Sequence, residues 1–328
     1  MLSSTGQKRP KGHKGLLSLL SLLSFSSLSA IENRFDFESV QMATKFRLSL
    51  HAENRETAEK AAEDAFEHVA ALTSVFSDYE PYSELNRLNA TKPSVPFKAS
   101  PELLDIVTRS LEISKLTDGA FDITCGNVTR LWRSMKNRKQ LPPPDRLATA
   151  KAAMDWKAVK VDAQASTITL TKPGMLLDLG GIAKGYAADS VLKRLRERHH
   201  LPRALVIAGG DIAIGDPPPG KESWEVRLRT YIAPIGGGAE KLESVQLKNA
   251  AVSTSGDLYQ AIIIEGKRYA HIISPKSGLG LTDTISCSVI ATDATTSDAL
   301  ATAMVVLGKE KGSEIAKQIP GITLRWSE

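Results

Sequence analysis

The residues best placed for chemistry are an aspartate and a threonine four positions apart. In "SDALATAMVVLG" the apolar spacing predicts a helix from Ser297 to Leu307, which puts Asp298 and Thr302 on one face. A carboxylate and a hydroxyl there, joined by a backbone carbonyl, would make a hard-oxygen site with room for water and phosphate oxygens. Mg²⁺ is usually held beside a nucleotide in this way. An aspartate at that point also suits a helix N-terminus, and the pair alone leaves both readings open.

A second stretch, "LLDLGGIAKGYAAD" from Leu176 to Asp189, carries three glycines, one lysine and two aspartates. It falls where an apolar strand, "MLLDL", gives way to a helical pattern from Ile182 to about Arg196. Residue 182 is isoleucine, so the dinucleotide pattern G-x-G-x-x-G is absent; Lys184 precedes Gly185 with no Ser or Thr after it, so it is no P-loop. A strand delivering bare glycine backbone to a helix start still offers N–H groups to an anion, and Lys184 could add a positive charge. The alternative is a tight turn with a solvated lysine.

Other short stretches bear on that choice. "TDGAFDIT" sets a Gly-Ala step beside Asp122, and "AGGDIAIG" ends a strand with two glycines and Asp211. "VSTSGDLYQ" gathers hydroxyls in a turn round Gly256, and "HIISPKSG" begins with His271. Each alone is an ordinary turn. Together they are more small, hydroxyl-bearing and acidic turns than folding requires.

The elements that must position these turns alternate irregularly. "ATKFRLSLH" alternates Phe46, Leu48 and Leu50 as a half-buried strand, and the next helix presents Ala58, Ala62, Ala65, Phe66, Val69 and Leu72. Ser100 and Pro101 open a second helix as N-cap and first residue, with Leu104, Val107 and Leu111 as its apolar face. The second half is strand-rich with two helices, which fits α+β rather than a doubly wound parallel sheet. Chain length, 328 residues, suffices for one large core.

The net charge of +5 does not mark a nucleic-acid partner. Lys8, Arg9, Lys11 and Lys14 stand in the first 29 residues without any acid, and without them 38 basic residues face 37 acidic ones. That cationic start runs into "GLLSLLSLLSFSSLSA", too short and serine-diluted to span a bilayer, with small residues at Ser27 and Ser29. Residues 1–29 therefore read as an export signal, leaving a domain over 30–328. Cys125 and Cys287 are the only cysteines, too few for a disulfide framework, and Cys287 reads as a buried thiol.

Taken in order, the motifs resemble the ApbE-type FAD:protein FMN transferases. The match runs from "MATKF" through "FSDYEPYSELNRLN", "TDGAFDIT", "LDLGGIAKGYAAD", "AGGDIAIG", "VSTSGD" and "HIISPKSG" to "SDALATAMVVLG", roughly residues 40 to 310. The resemblance implies a single α+β, T-fold-like domain with mixed sheets flanked by helices and a flavin site between two lobes. It implies FAD as substrate, Mg²⁺ or another divalent cation at the pyrophosphate, and FMN transfer to a Ser or Thr hydroxyl with release of AMP. By resemblance the metal ligands are Asp298, Thr302 and the carbonyl of Ala183. Tyr79 is the aromatic against the flavin, and the FAD cradle takes in Met42, Gly119, Ala120, Phe121, Asp122, Gly180, Gly181, Lys184, Asp211, Thr254, Ser255, Gly256 and Ile272. His271 stands beside the reacting phosphate, and a neutral imidazole there could accept the hydroxyl proton near pH 7.

Family members act outside the cytoplasm on redox proteins, so the expected acceptor is a membrane redox subunit and the expected location periplasmic. One departure stands out: the family commonly reads H-I-I-D-P, whereas Ser274 replaces the acid here. The rival readings are an FAD pyrophosphatase, with water in place of the acceptor, and an exported flavin carrier without activity.

Overall fold

The computed structural model describes residues 32–327 apart from 137, 230–241 and 257–260. The export signal expected at residues 1–29 lies outside the described residues. Glu32–Glu328 form one unit.

Seven strands build the main sheet, and their order across it is their order along the chain. They are β1 (Asn33–Gln41), β2 (Thr44–Ala52), β3 (Ala204–Ala208), β4 (Asp211–Ile214), β5 (Ala250–Gly256), β6 (Ser286–Ala291) and β7 (Thr323–Trp326). Every neighbouring pair in this sheet is antiparallel. The long helices are α1 (Arg55–Phe76), α2 (Pro101–Leu116), α3 (Gly126–Lys136), α4 (Ala183–Arg198) and α5 (Ala294–Leu307).

Burial explains the strand patterns. Phe46, Leu48 and Leu50 alternate into the large core, as their spacing predicts. The run "ALVIA" does not alternate because both faces of β3 are covered. Ala204, Val206 and Ala208 face that core, while Leu205 and Ile207 meet a second cluster under the hairpin Trp224–Arg229/Leu242–Leu247.

Three sequence expectations about elements change. "MLLDL" is extended but joins no sheet beyond a parallel bridge between Leu176 and Cys125. The Asn89 side-chain amide takes the strand neighbour's place, donating to Leu177 O at 3.0 Å and accepting from Leu177 N at 2.8 Å. The hydroxyls of "VSTSG" lie within β5, not in a turn. On α2, Ser100 caps and Pro101 opens the helix as expected, but the buried face is Leu103, Ile106, Val107, Ser110, Ile113 and Ser114. Leu104 and Leu111 are only partly buried. The two serines are tolerated inside because their hydroxyls donate to Ile106 O and Ser110 O four residues back.

Helix α5 begins at Ala294, three residues earlier than its apolar spacing suggests. Asp293 is its N-cap, accepting from Thr296 N at 2.9 Å and pairing with Arg109. Asp189, on α4, adds a second cap by accepting from Ala294 N and Thr295 N at 2.8 and 2.7 Å. Asp298 is therefore not a helix-end residue; it lies inside the helix and is 2% exposed. The two helices cross at Gly185, where a methyl group would come within 2.2 Å of Ala294 O. The third glycine of the turn thus serves helix contact, not an anion.

Candidate active site

A cleft of about 1240 Å³ opens between the large core and a smaller flank built on α3 and the loop that carries His271. All the residues singled out by the sequence line it except Gly119. Gly119 stands just behind, in the left-handed region at φ +73°, with its open side filled by the Trp156 indole. Its glycine is required by the turn that ends α2, so it shapes the Ala120–Asp122 wall from outside.

Asp298, Asp211 and Lys184 form the charged centre. The Lys184 ammonium donates to Asp211 Oδ2 at 2.6 Å and reaches Asp298 Oδ2 at 3.4 Å, while Gly185 N donates to Asp298 Oδ2 at 3.1 Å. Burial pushes the Asp298 carboxyl up to about 7, and the neighbouring Asp211 charge adds to the rise. Burial alone would lower the lysine; the two carboxylates overcome it and hold the ammonium charged. Lys184 thus directs two of its three N–H donors at carboxylates while lining the cleft.

The helix-start amides are also largely spoken for. Gly180 N donates to Asp178 Oδ1, Ile182 N and Ala183 N both donate to Leu179 O, and Gly185 N goes to Asp298. Ala183 is already the first residue of α4, so its carbonyl is directed along the helix toward the fourth residue on. Ala183 lines the cleft, and a carbonyl oxygen bonded within a helix keeps a second lone pair. Gly181, ahead of the helix, also borders Thr302: a methyl on it would sit 3.6 Å from Thr302 Oγ1.

Among the described residues no three His, Cys, Asp or Glu side chains cluster as a metal site. The local charge nevertheless fits a hard cation. Two buried carboxylates share one ammonium, and the Thr302 and Ser255 hydroxyls stand 3.2 Å apart beside them. With both acids ionised one negative charge is left over, and all available donors are oxygens.

The remaining walls are less charged. Thr254 Oγ1 pairs with Ser288 Oγ at 2.7 Å. Asp122 Oδ1 accepts from Thr124 N and Oγ1, which closes its own turn, and burial raises its carboxyl. Met42 and Ala43 form a two-residue turn between β1 and β2 with φ of +47° and +56°, a left-handed pair built without Asn or Gly. His271 lies on the rim; the protein around it, then the charges of Lys136 and Lys184, lower its pKa from the ordinary 6.5. Its loop is closed by backbone bonds, Ser274 N to Leu279 O and Gly278 N to Ser274 O, and Ser274 lies off the cleft. The turn forms without a carboxylate at that position.

Sequence reasoning missed Arg133, Asp78 and Asp178. Arg133 Nη2 donates to Asp178 Oδ2 at 2.6 Å and lies 2.7 Å from Asp78 Oδ2, out of line for a hydrogen bond but close as charges. Its guanidinium carbon sits 4.4 Å from the centre of the Tyr79 ring. An arginine in an amphipathic helix reads as a solvated face, and no motif points it at two acids distant in sequence.

Comparison with known proteins shows the family and the fold. The ApbE family model matches residues 42–326, so the chain belongs to the ApbE family. It is 34% identical over 276 residues to the FAD:protein FMN transferase of Treponema pallidum, covering 80% of this chain and 75% of that one. With the FAD:protein FMN transferase of Haemophilus influenzae it is 32% identical, covering 80% and 77%. The crystal structure of the ApbE protein of Thermotoga maritima superimposes with a TM-score of 0.78 at 28% identity, over 89% of this chain and 93% of that one.

The charge count generates a test. Lys184→Met removes the shared ammonium and should cost about 3–5 kcal/mol of unfolding free energy, nearer the lower end because the lysine borders the cleft. Adding Asp211→Asn should recover part of that loss, since the remaining acid is then alone. Urea unfolding of both variants checks it; a double variant no more stable than the single one contradicts the shared-charge account.

Proposed function

We propose that this chain transfers FMN from FAD to a Ser or Thr hydroxyl of an acceptor protein, with a divalent cation at the pyrophosphate and AMP as the leaving group. The observation that carries the reading is the buried Asp298–Lys184–Asp211 centre, with its surplus negative charge, in the same cleft as Tyr79 and His271. The two curated relatives named above bear the name of that activity.

In this reading the acceptor oxygen bonds to the FMN phosphorus while the phosphoanhydride bond breaks, and AMP departs with the bridging oxygen and its electron pair. The hydroxyl proton passes to His271, whose lowered pKa keeps the imidazole neutral and able to accept it. Asp298 and Thr302 would hold the cation, with Asp211 and Ser255 beside them. Bound Mg²⁺ supplies charge neutralisation on the non-bridging phosphate oxygens. Tyr79 offers an open aromatic face to the flavin ring.

The reading extends to export. The cationic, then apolar, residues 1–29 support removal of a leader, and the family resemblance suggests an acceptor among membrane redox subunits on the outer side. Among the described residues no helix is long and apolar enough to cross a membrane. N-terminal sequencing of the protein from its native host should find Met1 removed with the leader; a retained Met1 contradicts export by this route.

Incubation with FAD, Mg²⁺ and candidate acceptors should give covalent flavin on protein; free FMN with AMP would point to hydrolysis, and unchanged FAD to a carrier. Asp298→Asn keeps side-chain size but loses the charge. It should cut single-turnover transfer by about three orders of magnitude while FAD binding survives in part. Transfer at the parent rate at low Mg²⁺ would mean the aspartate is only structural.

The pH profile gives a separate check. Protonated His271 cannot accept a proton, so at cation levels that keep Asp298 ionised transfer should fall as pH drops through the imidazole pKa, with its midpoint below 6.5 because that pKa is lowered. His271→Gln should be about a hundredfold slower and lose this acid limb. An unchanged acid limb in the variant assigns it to another group.

A further inference from the structure

Arg133 joins parts of the cleft wall that are far apart in the chain. Tyr79 sits in the segment between α1 and the short helix Glu84–Asn89, and it is 73% exposed. Packing therefore does little to fix its ring, and an aromatic on such a segment would exchange among rotamers. One face of that ring carries the Arg133 guanidinium at 4.4 Å. Arg133 is itself held from two sides, by Asp78 next to Tyr79 and by Asp178, whose other oxygen accepts from Gly180 N of the glycine turn. Thr129 Oγ1 completes the set by donating to Asp178 Oδ2 at 2.7 Å.

We propose that Arg133 is a positioning residue for the flavin ring: it pins Tyr79 with one face backed and the other open to the cleft, and fixes the spacing between that ring and the glycine turn. The inference rests on the FAD reading given above. A planar guanidinium suits the task because it can stack on a ring and serve two carboxylates in its own plane; an ammonium can meet the charges but cannot stack in the same way. Arg133 acts through Tyr79 and takes no part in the reaction at phosphorus.

The role predicts loss selective for the ring end of the ligand. Binding of FAD and riboflavin, followed by quenching of flavin fluorescence, and of ADP, followed by calorimetry, should be compared in the parent, Arg133→Met and Arg133→Lys. In Arg133→Met the Kd for riboflavin and FAD should rise about three- to fivefold, the scale of one cation–ring contact at an exposed ring, while the Kd for ADP does not change. Arg133→Lys keeps a counter-charge for Asp78 and Asp178, so it carries the test if the methionine variant fails to fold; it should weaken riboflavin binding without changing ADP. In a Tyr79→Ala background Arg133→Lys should change nothing further, because the ring it positions is gone.

Equal weakening of riboflavin and ADP would overturn the proposal, since Arg133 would then serve the phosphates or the fold at large. So would unchanged riboflavin binding, or a full effect of Arg133→Lys in the Tyr79→Ala background. A parent protein that binds neither FAD nor riboflavin would instead overturn the FAD reading on which the proposal stands.

Discussion

The site depends on a buried charge imbalance at the crossing of two helices. Gly185 lets α4 approach α5 closely enough for its own N–H to reach Asp298. Lys184, one residue earlier, is thereby brought between Asp298 and Asp211, which comes from β4 on the main sheet. Three elements are tied at one point, and the tie is electrically incomplete. An isolated buried carboxylate would cost several kcal/mol or take up a proton, and Asp298 stands between these outcomes with its carboxyl pushed up to about 7.

The neighbouring polar groups largely secure the frame around that point. Asp189 and Asp293 cap α5, so that Asp298 and Thr302 are presented at a fixed height. Asp178 orders the glycine turn through Gly180 N and links it to α3 through Arg133 and Thr129. Asn89 replaces a strand partner for Leu177 and so holds the segment leading into the turn. These residues are buried or half-buried and already engaged. The groups left facing the cleft, His271, Tyr79 and the Ser255–Thr302 hydroxyls, are the ones free to meet a ligand.

What could be read from the sequence follows from the range of the forces involved. The i to i+4 relation of Asp298 and Thr302, the alternation of β2 and the Ser100-Pro101 helix start are local, and the structure has all three. Motif order brought distant turns to one cleft without any local signal, because a family pattern carries tertiary information that periodicity lacks. Non-local pairings were out of reach. The carboxylate partners of Lys184 could not be read locally, because they lie 27 and 114 residues away. Arg133 drew no notice for the same reason, and "MLLDL" looked like a strand because the chain cannot announce that an asparagine side chain will stand in for its neighbour. Gly119 was placed in the cleft with its motif, whereas its left-handed backbone serves the turn behind it.

A stable fold alone would not choose this arrangement. Helix α5 is buried along most of its length among Ala299, Leu300, Ala301, Ala303 and Met304, and an apolar residue at position 298 would pack there without an unpaired charge. Replacing buried ion pairs with well-packed apolar groups is often neutral or stabilising, so the surplus carboxylate is hard to explain as a stability device. Its placement is economical for a different task. The same two acids whose mutual repulsion is unfavourable would favour entry of a cation, and the caps and the Gly185 contact keep them from relaxing toward solvent. The cost is borne by the surrounding core, whose large apolar cluster spans α1, α4, α5 and one face of the main sheet. Stability in this molecule is concentrated in that core, and the charged centre is set at its margin where the cleft begins.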